Sequence, residues 1–293
     1  MSQKKFVLEK VPEPPAAEIR EAVRSLKEWI SKEPHLPNVD DEEWLTTFFY
    51  HNKFSLEKTK EKLENYFSLK NKYPHLLKDR DPTRPEFRRF APTSMVSNKF
   101  TRDGARLLLL QFDSDPNLFV MTDYIKRVTM VFDMMMLEKD RLTSYIFIWD
   151  CKNMHYKHFL KMGTEMKAGS DIFSKAYTER IEAIHVVNAP PYSDTMLKTF
   201  IPLFPKKYAQ RIFVHTVANS NLLEMVDNEV LWSDFGGKGP SSAETGQWCQ
   251  KKLEEYKDWY AEQDKFCSNE LLRRKGGDQV EELRGSFRKI EVD

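Results

Sequence analysis

The sequence lacks the compact motifs that mark several large classes of enzyme. It contains no G-x-x-x-x-G-K-[ST] phosphate loop, no G-x-G-x-x-G after an apolar run and no G-x-S-x-G nucleophile elbow. His155 and His158 lie three positions apart, but no further metal ligand is spaced to join them. His185, His215 and Asp150 form no triad or carboxylate pair with one another. The sequence therefore predicts a protein that is not an enzyme and that uses no metal or cofactor.

Cysteine is scarce, and an excess of charge of either sign is absent. The three cysteines, Cys151, Cys249 and Cys267, are odd in number and none is spaced as C-x-x-C, which favours free thiols in a reducing compartment. With 46 basic and 45 acidic residues the net charge is +1, whereas nucleic-acid-binding proteins usually carry a basic excess. The sequence has no N-x-S/T sequon and no apolar leader. We therefore expect a cytoplasmic monomer that does not bind nucleic acid.

Long hydrophobic runs are absent as well. The most apolar windows, near Leu107–Phe112 and Val128–Leu137, are about half the roughly 20 residues that cross a bilayer. Any membrane contact is therefore expected to be peripheral and transient. Aromatic residues, by contrast, are plentiful at 13%. That content is typical of a well-filled core and also of an apolar cavity that holds an apolar ligand.

The first part of the chain has the pattern of a small helical module. Residues 16–31 carry apolar side chains at steps of three and four, which predicts an amphipathic helix. Asp40 or Asp41 can cap a second helix, and Ser55 can cap a third. We therefore expect a helical N-terminal module over residues 16–78.

Short apolar runs alternate with helical patterns in the next part of the chain. The runs that predict strands are residues 106–112, 145–149, 182–188 and 210–216. Such alternation predicts crossover connections and a largely parallel sheet that is covered on both faces. The predicted fold class is therefore α/β, with a mostly parallel sheet after the helical module. The predicted division is a tail at 1–15, the module at 16–78, the sheet domain at 79–240 and a charged, partly helical tail at 241–293.

The segment Arg180–Gly237 carries a resemblance to a known family. It begins RIEAIHVVNAPPYSDTMLKTF, continues through the strand QRIFVHT and closes on DFGG. Upstream, Trp44–Lys58 reads WLTTFFYHNKFSLEK, and another strand ends in Trp149–Asp150. These segments resemble the CRAL-TRIO lipid-binding family, most of all its tocopherol- and retinaldehyde-binding branch. The resemblance spans about residues 16–240.

The resemblance implies a non-enzymatic carrier with a lipid cavity between the sheet and a mobile lid helix at Tyr192–Phe204. The ligand is expected to be one small hydrophobic molecule, tocopherol-, retinoid-, carotenoid- or terpenoid-like, exchanged at membranes. The expected lid residues are Met196, Leu197, Phe200, Ile201 and Phe204. The expected cavity residues are Thr129, Phe132, Asp133, Met136, Phe147, Trp149, Ile172, Phe173, Tyr177, Ile184 and Val186. The alternatives are a crossover helix that stays docked on the sheet and side chains that belong to an ordinary core.

Carriers of the tocopherol branch also hold a phosphoinositide head group in a basic cleft beside the lid. Arg180, Lys207 and Arg211 match its basic positions, whereas Glu182 and Asn52 stand where the family has basic residues. We therefore expect contact with anionic membranes, with phosphoinositide binding left open. The alternative function is a phospholipid- or phosphoinositide-binding or scaffolding module without transfer activity.

Overall fold

The computed structural model of this chain contains a mixed β-sheet that is covered by helices. The structure describes residues 11–139, 144–163, 165–177, 180–190, 192–203, 206–215 and 221–273. Within these ranges no helix is both long and apolar enough to cross a membrane. Most of the tail predicted at 1–15, and the end of the tail predicted at 241–293, lie outside the described residues.

The first part of the chain is helical, as its periodicity predicts. Its helices are α1 (Ala16–Lys32), α2 (Glu42–His51), α3 (Leu56–Lys72), α4 (Pro74–Leu77) and α5 (Pro85–Arg88). The Asp41 carboxylate accepts the backbone N–H of Trp44 at 3.0 Å, so Asp41 rather than Asp40 caps α2. Ser55 caps α3 by accepting the N–H of Lys58. These caps set where each helix begins.

The sheet confirms the predicted α/β class. Its strands, in spatial order, are β1 (Ser94–Val96), β2 (Ala105–Gln111), β3 (Ser144–Asp150), β4 (Ile181–Val187) and β5 (Ile212–Val214). Strands β2 to β5 run parallel to their neighbours, and β1 pairs antiparallel with β2. The sequence pattern missed β1, because three residues are too few to show a period.

The helices that follow the strands differ in detail from the predicted ones. They are α6 (Met121–Leu137), α7 (Tyr156–Met162), α8 (Glu165–Lys175), α9 (Ser193–Phe200), α10 (Lys206–Ala209) and α11 (Leu222–Met225). The sequence pattern predicts one helix over residues 156–167, but α7 ends at Met162 because Gly163 follows it with a φ of 43°. The predicted lid helix ends at Phe200 and continues as a 3-10 turn, Ile201–Leu203. Pro202 lacks the N–H that another α-helical turn would need.

The C-terminal segment is packed rather than a loose tail. The sequence pattern predicts one helix over residues 244–263. The structure has two there, α12 (Ser242–Glu255) and α13 (Lys257–Gln263), followed by a 3-10 turn at Glu270–Leu272. Cys249, Leu253 and Tyr260 are all fully buried. The Tyr260 hydroxyl donates to the carbonyl oxygen of Met130 on α6 at 2.8 Å. A few buried residues therefore attach a largely polar segment to the fold.

Candidate functional site

An apolar cavity of about 150 Å³ lies between one face of the sheet and the helices above it. The sheet contributes Leu110, Phe147 and Trp149 to its wall, and α8 contributes Phe173. None of the described residues that line it is charged. An apolar cavity of this size excludes water and accepts a small apolar molecule. The cavity is thus the place in the described fold best suited to an apolar ligand.

Strand geometry determines which side chains face the cavity. Alternate residues of a strand point to the same face, so Phe147 and Trp149 of β3 share the cavity face. Ile184 and Val186 of β4 share it too, because the parallel register pairs them with Phe147 and Trp149. Four aromatic and branched side chains therefore form one continuous apolar floor.

The residues predicted to line the cavity divide into two groups. Those that lie in its wall are Phe132, Phe147, Trp149, Phe173, Ile184 and Val186. Those that lie elsewhere in the interior are Thr129, Asp133, Met136, Ile172 and Tyr177. All five residues of the second group are buried, as are Phe132 and Val186 of the wall, whereas the other four wall residues are only partly buried.

Asp133 belongs to a polar cluster that faces the helical module. Its Oδ2 accepts from the Arg80 guanidinium at 2.6 Å, and its Oδ1 accepts from the hydroxyls of Tyr66 at 3.0 Å and Tyr177 at 3.1 Å. Burial, and the negative charge of Asp133, hold the pKa of Tyr66 and Tyr177 well above the usual range, so both hydroxyls remain donors. The side chain of Thr129 lies beside Arg80 in this cluster. Asp133, Thr129 and Tyr177 belong to this cluster and are therefore absent from the cavity wall.

The sequence analysis named Phe132 but missed the other three residues of the α6 face that lines the cavity. Met121, Ile125, Val128 and Phe132 all lie in its wall, at steps of four, three and four along the helix. That spacing places the four residues on one face of the helix. Helices α7 and α8 add Met162 and Met166, and the first turn of α6 adds Tyr124.

The predicted lid helix covers one side of the cavity. Leu197 of α9 and Ile201 of the 3-10 turn lie in the cavity wall. The Tyr192 hydroxyl donates to the carbonyl oxygen of Met154 at 2.6 Å and ties the start of α9 to the loop before α7. Phe204, and the side chains of Met196 and Phe200, lie outside the described residues.

The residues predicted to bind an anionic head group lie just before β4, on α10 and just before β5. Arg180 is half-buried, and its Nε has no hydrogen-bond partner in the described part of the chain. Burial lowers the pKa of its guanidinium. The Arg211 guanidinium donates to the carbonyl oxygen of Ile181, and Lys207 is exposed on α10.

Glu182 and Asn52, which stand where the family has basic residues, both form hydrogen bonds within the fold. Glu182 is buried and accepts the hydroxyl of Ser144 at 2.8 Å. Its negative charge also acts on Arg211. The amide of Asn52 donates to the carbonyl oxygen of Phe48 at 2.9 Å. Glu182 thus places an internal anion near the cationic group that a phosphate would meet.

An apolar patch on the surface adjoins the start of the lid. It consists of Leu118 (51% exposed), Val120 (42%), Tyr156 (57%) and Leu160 (61%). The Tyr156 ring meets the ring of Tyr192 edge-on, with 6.2 Å between their centroids. The patch is therefore in contact with the residue that precedes α9.

Comparison with known proteins assigns the class of the chain. The family model described as "CRAL/TRIO domain" matches residues 94–237, and the one described as "Pinta-like, UBA domain" matches residues 16–87. Residues 94–237 therefore carry a CRAL/TRIO domain, which confirms the resemblance seen in Arg180–Gly237. A CRAL/TRIO domain supports lipid binding or transfer in general.

Individual relatives are distant. Clavesin-2 of Homo sapiens is 22% identical over 224 residues, which cover 74% of this chain and 68% of that protein. An "Alpha-tocopherol transfer protein-like" protein of Mus musculus is 22% identical over 263 residues, which cover 88% of this chain and 75% of that protein. The crystal structure of Sfh5 aligns with a TM-score of 0.43 at 10% identity, over 70% of this chain and 82% of that one.

Proposed function

We propose that this chain is a non-enzymatic cytoplasmic carrier that holds one small hydrophobic lipid in the cavity and exchanges it at membranes. The observation that carries the proposal is the cavity wall, where no described residue is charged. Burying about 300 Å² of a ligand's apolar surface there would gain roughly 7 kcal/mol. That gain needs no covalent chemistry, which agrees with the absence of enzyme motifs from the sequence.

Helix α9 is proposed as the lid. It is eight residues long and has no side-chain hydrogen bond at its N-cap. Apart from the 3-10 turn that directly continues it along the chain, other described elements contact its backbone only sparsely. A helix this short is marginal without tertiary support, so moving α9 costs less than moving α6 or α8. The closed cavity is small, and a lipid of larger volume would enter by displacing Leu197 and Ile201.

The apolar patch is proposed as the surface that meets the membrane. Exposed apolar clusters on otherwise polar surfaces mark interaction sites. Lys152 and Lys157 are exposed beside the patch, and their charge suits an anionic leaflet. Docking there would bring α9 to the acyl chains, where Leu197 and Ile201 could leave the cavity without meeting water.

A second candidate function, recognition of an anionic lipid head group, rests on Arg180. A half-buried guanidinium nitrogen without a partner among the described residues favours an external anion. Lys207 and Arg211 would add positive charge, and Glu182 would oppose it. Phosphoinositides, with several phosphates, are the head groups most able to compete with that internal carboxylate.

Organic extraction of the purified protein, followed by mass spectrometry, tests the carrier function. We expect one apolar lipid per chain at close to stoichiometric amount. The variant Ile184→Phe, which fills part of the cavity, should carry less lipid while keeping its circular dichroism spectrum. The control Ile148→Val changes a buried residue outside the cavity wall and should carry as much as the wild type. Protein that is empty and binds no added lipid would refute the proposal.

A further inference from the structure

The closed cavity is small for the lipid that it is proposed to hold. Its volume is about 150 Å³, whereas pockets that enclose an organic ligand usually measure about 300 to 1,000 Å³. Opening the lid admits a ligand, but it adds no room once Leu197 and Ile201 return to the cavity wall. Another wall must therefore move outward when the cavity is filled.

The other walls differ in how they are held. The floor consists of strands that are hydrogen-bonded to one another, and α6 is buried on nearly every side. Lys161 ties α7 to the loop before α6. Helix α8 contributes Met166 and Phe173 to the cavity wall and presents Lys167 to solvent. The wall with room to move is therefore α8.

The two ends of α8 are anchored differently. At the C-terminal end, the ammonium of Lys62 on α3 donates to the carbonyl oxygens of Ser174 and Tyr177, at 2.5 and 3.1 Å. The Tyr177 hydroxyl also enters the buried cluster around Asp133. Before the N-terminal end, Gly163 has a φ of 43°, and no described atom lies within 4 Å of a Cβ placed there. The C-terminal end is thus a pivot, and the N-terminal end has space to turn.

Polar contacts with the helical module hold the rest of α8 in place. Oδ2 of Asp171 accepts the hydroxyl of Tyr73 at 2.8 Å and lies 3.5 Å from the ammonium of Lys72. Oε2 of Glu165 lies 3.1 Å from Nε2 of His75 on α4. The side chains of Asp171 and Glu165 are 20% and 30% exposed, so water can replace their partners when the contacts part. These two carboxylates and their three partners are called the α8 latch below.

We propose that the helical module latches α8, and that α8 swings outward about its C-terminal end to make room for a bound lipid. This rests on the proposed carrier function and gives the helical module a part in it. The swing carries Met166 away from the sheet, while Phe173 stays near the pivot. A ligand that exceeds the closed volume has to break the latch, so the latch lowers the affinity for large ligands and leaves that for small ones unchanged.

The double variant Asp171→Ala with Glu165→Ala removes the latch. Neither residue lines the cavity, and alanine is a good helix former, so α8 itself should persist. Glu21→Ala with Glu28→Ala is the matched control, because it removes two carboxylates from exposed ion pairs within α1. All variants are made in the full chain.

Two measurements follow the latch. Pulsed electron paramagnetic resonance gives the distance between spin labels at Glu61→Cys on α3 and Lys167→Cys on α8, both of which are exposed. Cys267, which is only partly buried, is replaced by Ser to keep the labelling specific, whereas Cys151 and Cys249 are buried. Affinity is measured for two apolar probes of different size, Nile red by fluorescence and benzene by calorimetry.

In the latch variant we expect the distance between the labels to lengthen with no ligand present. Loading the wild type with Nile red should lengthen the same distance. Nile red, which is too large for the closed cavity, should bind the latch variant about fivefold more tightly than the wild type, a difference of about 1 kcal/mol. Benzene fits a cavity of about 150 Å³ without widening it and should bind both equally. The control variant should resemble the wild type throughout.

An unchanged label distance, in the latch variant or in the loaded wild type, would overturn the proposal. Weaker binding of both probes would also overturn it, because that is the sign of a damaged wall. Equal gains for the two probes would do the same, since the latch would then not act on the cavity volume. All three results would leave the carrier function standing. Protein that binds no apolar ligand would refute the carrier function, and the distance measured without ligand would still decide whether the latch holds α8.

Discussion

Asp133 places a carboxylate in the interior of the fold, away from solvent. The pair formed by its carboxylate and the Arg80 guanidinium is almost completely buried, at 1% and 0% side-chain exposure. Removing one partner of such a pair leaves the other charge buried and uncompensated, which is more costly than losing an exposed ion pair. The two tyrosine hydroxyls share the same carboxylate, so the cluster joins α3, α6 and the segment just after α8 around one charge.

The variant Asp133→Asn is therefore expected to lower the free energy of unfolding by about 3 to 5 kcal/mol. Urea denaturation followed by circular dichroism measures it. The control is Glu229→Gln, which breaks an exposed pair with Lys238 and should hardly change the free energy of unfolding. Equal losses in the two variants would contradict a structural role for the cluster.

Glu182 weakens the positive potential around Arg211, one of the residues proposed to bind an anionic head group. Replacing it by Gln keeps an acceptor for Ser144 and removes the charge that acts on Arg211. We expect Glu182→Gln to bind phosphoinositide-containing vesicles about fivefold more tightly, since one charge near a membrane surface is worth about 1 kcal/mol. Vesicle sedimentation measures the affinity. Glu229→Gln makes the same change in net charge elsewhere, and an equal gain there would argue against a local effect.

The sequence predicts which strand residues form the cavity floor, but it does not determine which face of α6 lines the cavity. Period-two alternation makes Phe147 and Trp149 face one way, whichever way that is. Helix α6 is apolar on nearly every side, so the face with Thr129 and Asp133 and the face with Ile125 and Val128 were equally available. The partner that removes Asp133 from the cavity, Arg80, lies 53 positions earlier in the chain. No local pattern records such a contact.

Helix α7 is the element that places the apolar patch on the surface. Tyr156 and Leu160 are four residues apart and so lie on the same face of α7, away from buried His158 and Met162. Lys161 fixes the loop before α6 against this helix by donating to the carbonyl oxygens of Asn117 and Phe119, at 2.9 and 3.1 Å. The patch is thus a supported surface made by two neighbouring segments.

If the patch docks on membranes, the double variant Tyr156→Asp with Leu160→Asp should slow lipid transfer to anionic vesicles by at least about tenfold, because two apolar contacts of about 1 to 2 kcal/mol each are lost. Both residues are exposed, so lipid binding and stability should hardly change. Transfer is followed by energy transfer from a fluorescent lipid to an acceptor in the vesicles. Leu271→Asp, at a leucine that is 95% exposed, is the control. Unchanged transfer in the double variant would exclude this surface as the docking site.

Across the whole molecule, the C-terminal segment joins the helical module to the sheet domain. Tyr260 bonds to α6, while the side chain of Gln263 accepts from Lys70 of α3 at 2.8 Å. The backbone N–H of Asn269 donates to the carbonyl oxygen of His35 at 2.7 Å. The polar composition of residues 241–293 favours a tail, because few of these residues are buried. Those few lie where the helical module meets the sheet domain.

Lys70 makes this junction sensitive to pH. It is 1% exposed, and its ammonium lies 4.4 Å from the centre of the Tyr66 ring. Burial, with a smaller contribution from the charge of Arg80, lowers the pKa of Lys70 from 10.5 to about 7, against the opposing effects of Asp133, Cys267 and Asp264. Between these two values the unfolded chain binds a proton that the folded chain does not. The free energy of unfolding therefore rises with pH across that window, and below about pH 7 this lysine adds no slope.

Replacing Lys70 by Met removes this proton and keeps a side chain of similar length. We expect Lys70→Met to be more stable than the wild type at about pH 6, because the wild type then holds a buried ammonium, and the difference to shrink steadily towards about pH 9.5. Urea denaturation at several pH values measures the difference. Lys72→Met, at a lysine on the same helix whose side chain is 55% exposed, should show a difference that is nearly independent of pH. A constant difference for Lys70→Met as well would mean that its ammonium titrates normally, and the junction would then be held by packing around Tyr260 rather than weakened by a buried charge.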